Sequence, residues 1–337
     1  MAVRVLARND EGEGRSMMRK TLIGILTALT VLGATPVAAQ DYPTRPVKIL
    51  IAFPVGGLLD TVSRVVGEKL GTQLGQQFVI EARPGAGGTL ATLAVAKADP
   101  DGYTLMMIND NHALNPSVFK KLPYDSEKDF APIGFVGYTP LIFASNPDVP
   151  AKDLKSLVAL AKQKPDGVTY ASVGAGSASH LAGEMLAAQA GVKLLHVPYR
   201  GGAPALNDLL AGHVNTMFLS PVIGRTHMQA GKLNAIGLAA TKRLEILPDV
   251  PTMAELGVPV EASYWFGLVA PAATPPAIIA KLEKALTEVL EMPDVKKRLT
   301  DMGAVVTPLK SKEFGDYIRS EIVKWGDIVT KAGVKPE

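Results

Sequence analysis

Two glycine-rich turns, far apart in the chain, hold the residues best suited to chemistry. The first is Phe53-Pro54-Val55-Gly56-Gly57-Leu58-Leu59-Asp60, and the second is Gly174-Ala175-Gly176-Ser177-Ala178-Ser179-His180. Each follows a short apolar run and precedes a helical spacing. A helix start leaves its first backbone N–H groups without intrahelical acceptors, with roughly half a positive charge behind them. Two such turns facing one cleft could hold a carboxylate through N–H groups, with no Arg or Lys. A third glycine turn, Arg83-Pro84-Gly85-Ala86-Gly87-Gly88, opens another helix. Asn109-Asp110-Asn111-His112 lies just past a strand, at the edge where open α/β sheets bind ligands.

The candidate ligand contacts are therefore Phe53, Pro54, Gly56, Gly57 and Asp60, then Gly87 and Asn109, then Ser172, Gly174, Gly176, Ser177, His180 and Tyr199. Taken singly, a glycine turn is more often a tight connection than a binding site, so the pair carries the reading. Ser177 can cap its helix or donate its hydroxyl to a ligand. His180, with Glu184 one turn on, reads as a packed helix residue rather than a metal ligand. Asp60 would repel an anion if aimed inward, so it is expected to cap or orient its loop. Asn109 and Asn111 are either polar contacts or ordinary loop residues. Tyr199 and Trp265 either line the pocket or pack.

Enzyme chemistry has little to stand on. Ser117-Val118-Phe119-Lys120 has the Ser-x-x-Lys spacing of penicillin-recognising enzymes without their partner motifs. The chain has no Gly-x-Ser-x-Gly elbow, no His-Glu-x-x-His and no phosphate loop ending in Gly-Lys. Gly85-Ala86-Gly87 lacks the third glycine of the dinucleotide fingerprint. With no cysteine among 337 residues, disulfides, thiolate metal sites and cysteine nucleophiles are excluded. No cofactor or metal is expected.

The elements that must position these residues alternate. Val47 to Ala52 reads as a buried strand, Asp60 to Leu74 as a helix, Phe78 to Glu81 as a strand, Thr89 to Ala98 as a helix capped by Thr89, and Tyr103 to Ile108 as a strand. That order predicts a parallel sheet with right-handed crossovers. Strands are expected within Pro132 to Ser145, at Val168 to Ser172, from Leu194, at Asn215 to Leu219, at Leu233 to Ala239 and at Ala262 to Val269. Helices are expected at Leu154 to Lys162, from the second glycine turn to Ala190, and at Ala203 to Leu210. Beyond Pro275 the chain reads as mostly helical: Ala277 to Glu291, Asp294 to Met302 and Lys312 to Lys331.

Arg19 and Lys20 precede an apolar run, Leu22 to Leu32, and Val37-Ala38-Ala39 fits a signal-peptidase site. Residues 1–39 are expected to be a leader cut after Ala39, too short in its apolar run to span a membrane. Translation is expected to begin at Met17 or Met18, leaving residues 1–16 as a mis-assigned start. The whole chain carries +3; the leader's five bases and three acids account for part of that, leaving +1. An almost neutral chain has no electrostatic footprint for nucleic acid. Without a leader cysteine, no lipid anchor is expected, and the mature protein should be exported to the periplasm.

Six segments in order resemble the Bug/TctC family, the periplasmic solute-binding components of tripartite tricarboxylate transporters. They are the two glycine segments beginning at Phe53 and Arg83, Pro100-Asp101-Gly102-Tyr103-Thr104-Leu105, Gly176-Ser177-Ala178-Ser179-His180-Leu181-Ala182, His196-Val197-Pro198-Tyr199-Arg200-Gly201 and Leu247-Pro248-Asp249-Val250-Pro251-Thr252. The resemblance spans Asp41 to Gly333. Val55 departs from the family's usual second Pro, and Asn215 stands where an Asp is common. The resemblance implies an α/β, two-lobed periplasmic-binding-protein fold of type II (a Venus flytrap). Residues 41–142 and 264–337 would form one domain and 143–263 the other. It further implies a small carboxylate ligand (a di- or tricarboxylate, an amino acid or an aromatic acid), a monomer, and membrane permease subunits as partners. A ligand-sensing role, presenting the closed form to a sensor kinase, is the alternative.

Overall fold

The computed structural model describes residues 42–331 and 333–334, so the expected leader lies outside the described residues. The chain enters through β1 (Val47–Ile51), whose β-branched and leucine side chains are buried save for Lys48. Helix α1 (Leu58–Leu74) covers it with Leu59, Val62, Val65, Val66 and Leu70, and β2 (Phe78–Ala82) pairs parallel to β1. A single 3₁₀ turn at Ala86–Gly88 leads into α2 (Thr89–Ala96). Gly88 rather than Thr89 is its N-cap residue, because the left-handed turn places Thr89 already inside the helix. Strand β3 (Thr104–Asn109) pairs parallel on the other side of β1.

Up to this point the expected parallel unit is present. The sheet then turns mixed. Helix α3 (Asn111–Val118) follows β3, and β4 (Phe130–Pro140) is a long strand. Within one residue the chain leaves this sheet and begins β5 (Ile142–Ser145) of a second. The second sheet takes the middle of the chain: α4 (Leu154–Gln163), β6 (Thr169–Ser172), α5 (Ala178–Ala190), β7 (Leu195–Pro198), α6 (Gly202–Leu210), β8 (Thr216–Leu219), α7 (Pro221–Gln229) and β9 (Asn234–Leu238). Its strand order is β7-β6-β8-β5-β9. The chain returns as β10 (Ser263–Pro271), which runs antiparallel between β3 and β4. Helices α8 (Pro276–Glu291) and α9 (Pro293–Asp301), strand β11 (Val305–Lys310) and helix α10 (Ser311–Lys331) complete the first sheet, ordered β11-β4-β10-β3-β1-β2.

The outgoing and returning segments are bonded to each other where they pass. Leu141 N–H donates to Ala262 C=O at 3.0 Å, Ala239 N–H to Leu141 C=O at 2.8 Å, and Ala262 N–H to Ala239 C=O at 3.1 Å. All three residues are buried. Three short main-chain bonds across two strands make a narrow joint between the lobes, the arrangement that hinge closure requires.

The core of the first lobe is aromatic around α10. Trp265, Phe135, Phe314 and Tyr317 pack tilted or edge to face. Gly267 is required here, since a Cβ would sit 2.0 Å from the Phe314 ring. Among the described residues no helix is long and apolar enough to cross a membrane.

Candidate ligand-binding site

Each glycine turn is fixed by a side chain one helical turn further on. In the first, Gly56 adopts φ +85° and donates its N–H to Asp60 Oδ2 at 2.9 Å. Asp60 is buried, and its carboxylate also meets Arg64 through Nε at 3.1 Å and Nη2 at 2.9 Å. Burial alone would raise this carboxyl, but the Arg64 and Gly56 hydrogen bonds outweigh it and hold it below the ordinary range. Asp60 is thus ionised, neutralised by Arg64, and turned toward its own loop.

In the second turn, Gly176 at φ +70° donates its N–H to His180 Nδ1 at 2.9 Å. That bond fixes the Nε2–H tautomer, with Nε2 directed at Glu184 3.8 Å away. His180 stacks on His196 with centroids 3.9 Å apart, and Tyr170 stacks on both while its hydroxyl bonds Glu184. Burial lowers His180, and burial together with the neighbouring His180 pulls His196 to about 4, so both rings are neutral near pH 7. Ser172 Oγ bonds His196 Nε2 at 2.7 Å, donates to Gly174 C=O at 3.0 Å and accepts the Gly174 N–H at 3.2 Å. Ser177 Oγ accepts the His180 N–H at 3.3 Å and donates to Gly174 C=O at 2.7 Å; it is the N-cap of α5.

The expectation that Gly56 and Gly176 aim N–H groups at a ligand is therefore corrected: those two N–H groups are taken by Asp60 and His180. What remains at each helix start are the next amides, Leu58 to Asp60 in α1 and Ala178 and Ser179 in α5, which helix geometry leaves without intrahelical acceptors.

The third turn is the most contorted. Gly85, Ala86, Gly87 and Gly88 all have positive φ, and Ala86 at +46° is one of two non-glycine residues so placed among the described residues. Strain of this kind persists where the surroundings enforce it. Here Asn115 Nδ2 holds Gly87 C=O at 3.1 Å, and Thr92 Oγ1 donates to Gly88 C=O at 3.0 Å. A Cβ on Gly88 would lie 2.9 Å from Ala52 Cβ, so the turn folds tightly over the end of β1.

The two lobes meet at a cavity of about 60 Å³. Gly87, Asn111, Asn115, Val118 and Phe119 line it from the first lobe, Ala175 and Gly176 from the second, and Val334 closes it. The approach is close: a Cβ on Gly176 would lie 2.9 Å from Val118 Cγ1. None of these residues carries a charge, so the polar surface consists of carboxamides and backbone. Of the candidate contacts, the cavity brings together Gly87 and Gly176, with Asn111 beside them. Phe53, Pro54, Gly56, Gly57, Asp60, Asn109, Ser172, Gly174, Ser177, His180 and Tyr199 do not line it. The 85–88 turn lies over Ala52 at the end of β1 and supplies Gly87 to the cavity wall. Asn109 spends its carboxamide on Asp110 Oδ1 at 3.1 Å and Asn111 Oδ1 at 3.3 Å. Tyr199 points its hydroxyl to Asp208 Oδ2 at 2.6 Å, and Trp265 is wholly buried with its indole N–H on Glu321, so Trp265 packs.

Asn115, Val118, Phe119, Ala175 and Val334 line the cavity without being among the candidate contacts read from the sequence. The i, i+4 spacing of Asn111 and Asn115 on one helix face was the available signal, hidden because Pro116 interrupts the helical pattern. Among the described residues no group of three or more His, Asp or Glu could hold a metal ion.

The chain is similar to known proteins in sequence and in fold. Residues 62–334 match the family described as the tripartite tricarboxylate transporter family receptor, TctC. Protein BugT of Bordetella pertussis is 36% identical over 317 residues, covering 93% of this chain and 97% of that one. MatC from Rhodopseudomonas palustris, solved with bound malate, superposes with a TM-score of 0.77 at 35% identity, covering 86% of this chain and 100% of that one. An R. palustris structure with adipate gives a TM-score of 0.83 at 30% identity over 88% of this chain and 100% of that one. A match along most of the length, together with the two-lobed fold, shows that the chain belongs to the TctC family of solute-binding proteins.

Proposed function

We propose that the protein captures a small carboxylate in the periplasm, between lobes formed by residues 41–142 with 264–337 and by residues 143–263, and delivers it to the permease of a tripartite tricarboxylate transporter. The observation that carries this reading is the uncharged interlobe cavity, where the Gly87 turn, the carboxamides of Asn111 and Asn115, and the Ala175-Gly176 turn meet at the start of α5. Helix-start amides and carboxamides are donors suited to carboxylate oxygens, and they hold their charge complementarity without a basic side chain. Relatives holding malate and adipate support the ligand class.

At about 60 Å³ the cavity falls well short of the 300–1,000 Å³ of ordinary ligand pockets. A ligand therefore enters with the lobes apart and is enclosed when they rotate about the Leu141, Ala239 and Ala262 joint, so that binding shifts the open–closed equilibrium. Titration calorimetry of the mature chain against malate, adipate, citrate, aspartate and benzoate tests the reading. Saturable binding by at least one of these acids is expected. Heats no larger than dilution across the whole panel would refute carboxylate capture.

A further inference from the structure

Asp110 stands at the junction of β3 and α3 with no part of its surface exposed. Its Oδ1 accepts from Asn109 Nδ2 at 3.1 Å, and its Oδ2 has no hydrogen-bond partner. A second carboxyl shares the surroundings. Glu321 of α10 takes the strong donors: the Trp265 and Trp325 indole N–H groups at 3.2 and 3.0 Å on Oε2, and Lys324 Nζ at 3.0 Å on Oε1. Two carboxylates in one buried site cannot both be ionised cheaply, and the one with fewer donors keeps the proton. Asp110 has one neutral carboxamide and its own backbone N–H where Glu321 has two indole N–H groups and an ammonium. The other titratable groups facing Asp110 are Tyr264 of β10 and Tyr317 of α10, both driven upward by burial first and by nearby carboxyls second. Lys324 is the one cation that acts on Asp110, and it works against burial and Glu321. The balance pushes the Asp110 carboxyl up to about 8.

Asp110 also communicates with the cleft. The same Asn109 carboxamide that meets Asp110 Oδ1 reaches Asn111 Oδ1 at 3.3 Å, and Asn111 lines the cavity. On the opposite side, Tyr264 stands near Ser179 in the first turn of α5, the helix whose start borders the cavity from the second lobe. An anion lodged against Asn111 would thus lie one residue from the Asp110 carboxyl, with little water between them to screen the repulsion.

We propose that Asp110 is a proton-binding site coupled to the solute site, so that an anionic ligand enters together with a proton held on Asp110. This rests on the carboxylate reading above. Above pH 8 the ligand-free carboxyl is ionised and must take up a proton as the anion binds. Below that pH the proton is already in place, and affinity is flat. Both carboxyls of malate stay ionised from pH 7 to 9, so the ligand adds no titration of its own. The linkage relation then makes binding up to about tenfold weaker at pH 9 than at pH 7.

The test is calorimetry with malate, or with whichever acid of the panel binds, at pH 7 and 9 in buffers of low and high ionisation enthalpy. Uptake approaching one proton per ligand at pH 9, absent in Asp110→Asn, is expected. Buffer-independent heats at pH 9, or equal uptake by Asp110→Asn, would overturn the proposal. Carbon NMR of side-chain carboxyls in the ligand-free wild-type protein, with Asp110 assigned, supplies the second reading. An Asp110 midpoint near 8 supports the site, and one in the ordinary aspartate range overturns it even if no acid of the panel binds. Failure of the carboxylate reading alone would show as silent calorimetry with the Asp110 midpoint still raised.

Discussion

Gly176 meets two separate demands, and they can be pulled apart experimentally. Its φ of +70° costs an ordinary L-residue roughly 1–2 kcal/mol, a cost present whether the lobes are open or closed. Its Cα also faces Val118 so closely that a Cβ would lie 2.9 Å from Cγ1 and 3.1 Å from Cβ of that residue. Val118 ends α3 and is β-branched, so it yields by leaving its rotamer, at about 0.5–1.5 kcal/mol. This second cost arises only when the lobes close, because Val118 and Gly176 stand on opposite lobes. Gly176→Ala should therefore lower Tm by a few degrees through the backbone term. It should also weaken ligand binding about three- to tenfold through the contact term, since 1.4 kcal/mol is a factor of ten. Adding Val118→Ala should return most of the affinity and none of the lost stability. Thermal unfolding of the ligand-free proteins and calorimetry of all four members of the cycle read the two quantities independently. Gly176→Ala binding as tightly as wild type, or a double variant that binds no better than the single one, would refute closure through this contact.

Other expectations follow from the same geometry. Asn115→Ala removes the donor that holds Gly87 C=O at 3.1 Å and one carboxamide of the cavity wall, and should weaken binding by about 1–2 kcal/mol, or roughly five- to thirtyfold by calorimetry. Glu321→Leu orphans two buried indole N–H groups and leaves Lys324 without its carboxylate, so denaturant unfolding should report a loss of about 3 kcal/mol. His112 and His196 are pulled down to about 4 by burial. The unfolded chain binds these protons first, so stability is complete above about pH 6.5 and is lost as pH falls toward 4, by at most about 3 kcal/mol for the fully buried His112 and by less for the half-buried, solvent-screened His196. Urea midpoints between pH 7 and 4 in Asp110→Asn, which lacks the opposing titration of the raised Asp110 carboxyl, check this, and a midpoint that stays level to pH 4 there would contradict it.

Much of the scaffold is legible because local pattern and final environment agree. Val47–Ile51 is an apolar, mostly β-branched run whose side chains apart from Lys48 end buried, and the Leu58–Leu74 helix buries the face its spacing marks. The elements that stay hidden do so for definite reasons. Helix α3 carries Pro116 and four polar residues within about two turns, and its stability comes from packing against α10 rather than from propensity. Strand β11 contains Pro308 and is largely exposed, as a sheet edge permits, so it lacks the alternation that marks a strand. The direction of β10 cannot be read at all, because antiparallel insertion between β3 and β4 is fixed by where the chain returns from the second sheet. The site is legible in kind but not in membership. Glycine turns at helix starts mark the region, whereas the choice of Gly87 over Gly56 depends on how the 85–88 turn folds over Ala52.

The two lobes solve one problem by the same device with different chemistry. In each, the glycine before the helix gives its N–H to the side chain four residues later, to Asp60 in one case and to His180 in the other, both at 2.9 Å. A loop pinned in this way cannot turn its amides away, so the N–H groups at the start of α5, beside the cavity, are oriented before any ligand arrives, which reduces the ordering cost of binding. The carboxylate pin needs a cation to keep it from repelling an anion, and Arg64 supplies one. The imidazole pin needs none, because burial against His196 keeps it neutral. The designs differ under acid. Protonation at His180 Nδ1 would turn that atom from acceptor into donor and release Gly176, the residue facing Val118 across the cleft. Asp60, its carboxyl held low by Arg64, keeps its grip on Gly56 to lower pH. Of the two turns only the second borders the cavity, so protonation of His180 is the change that reaches the site.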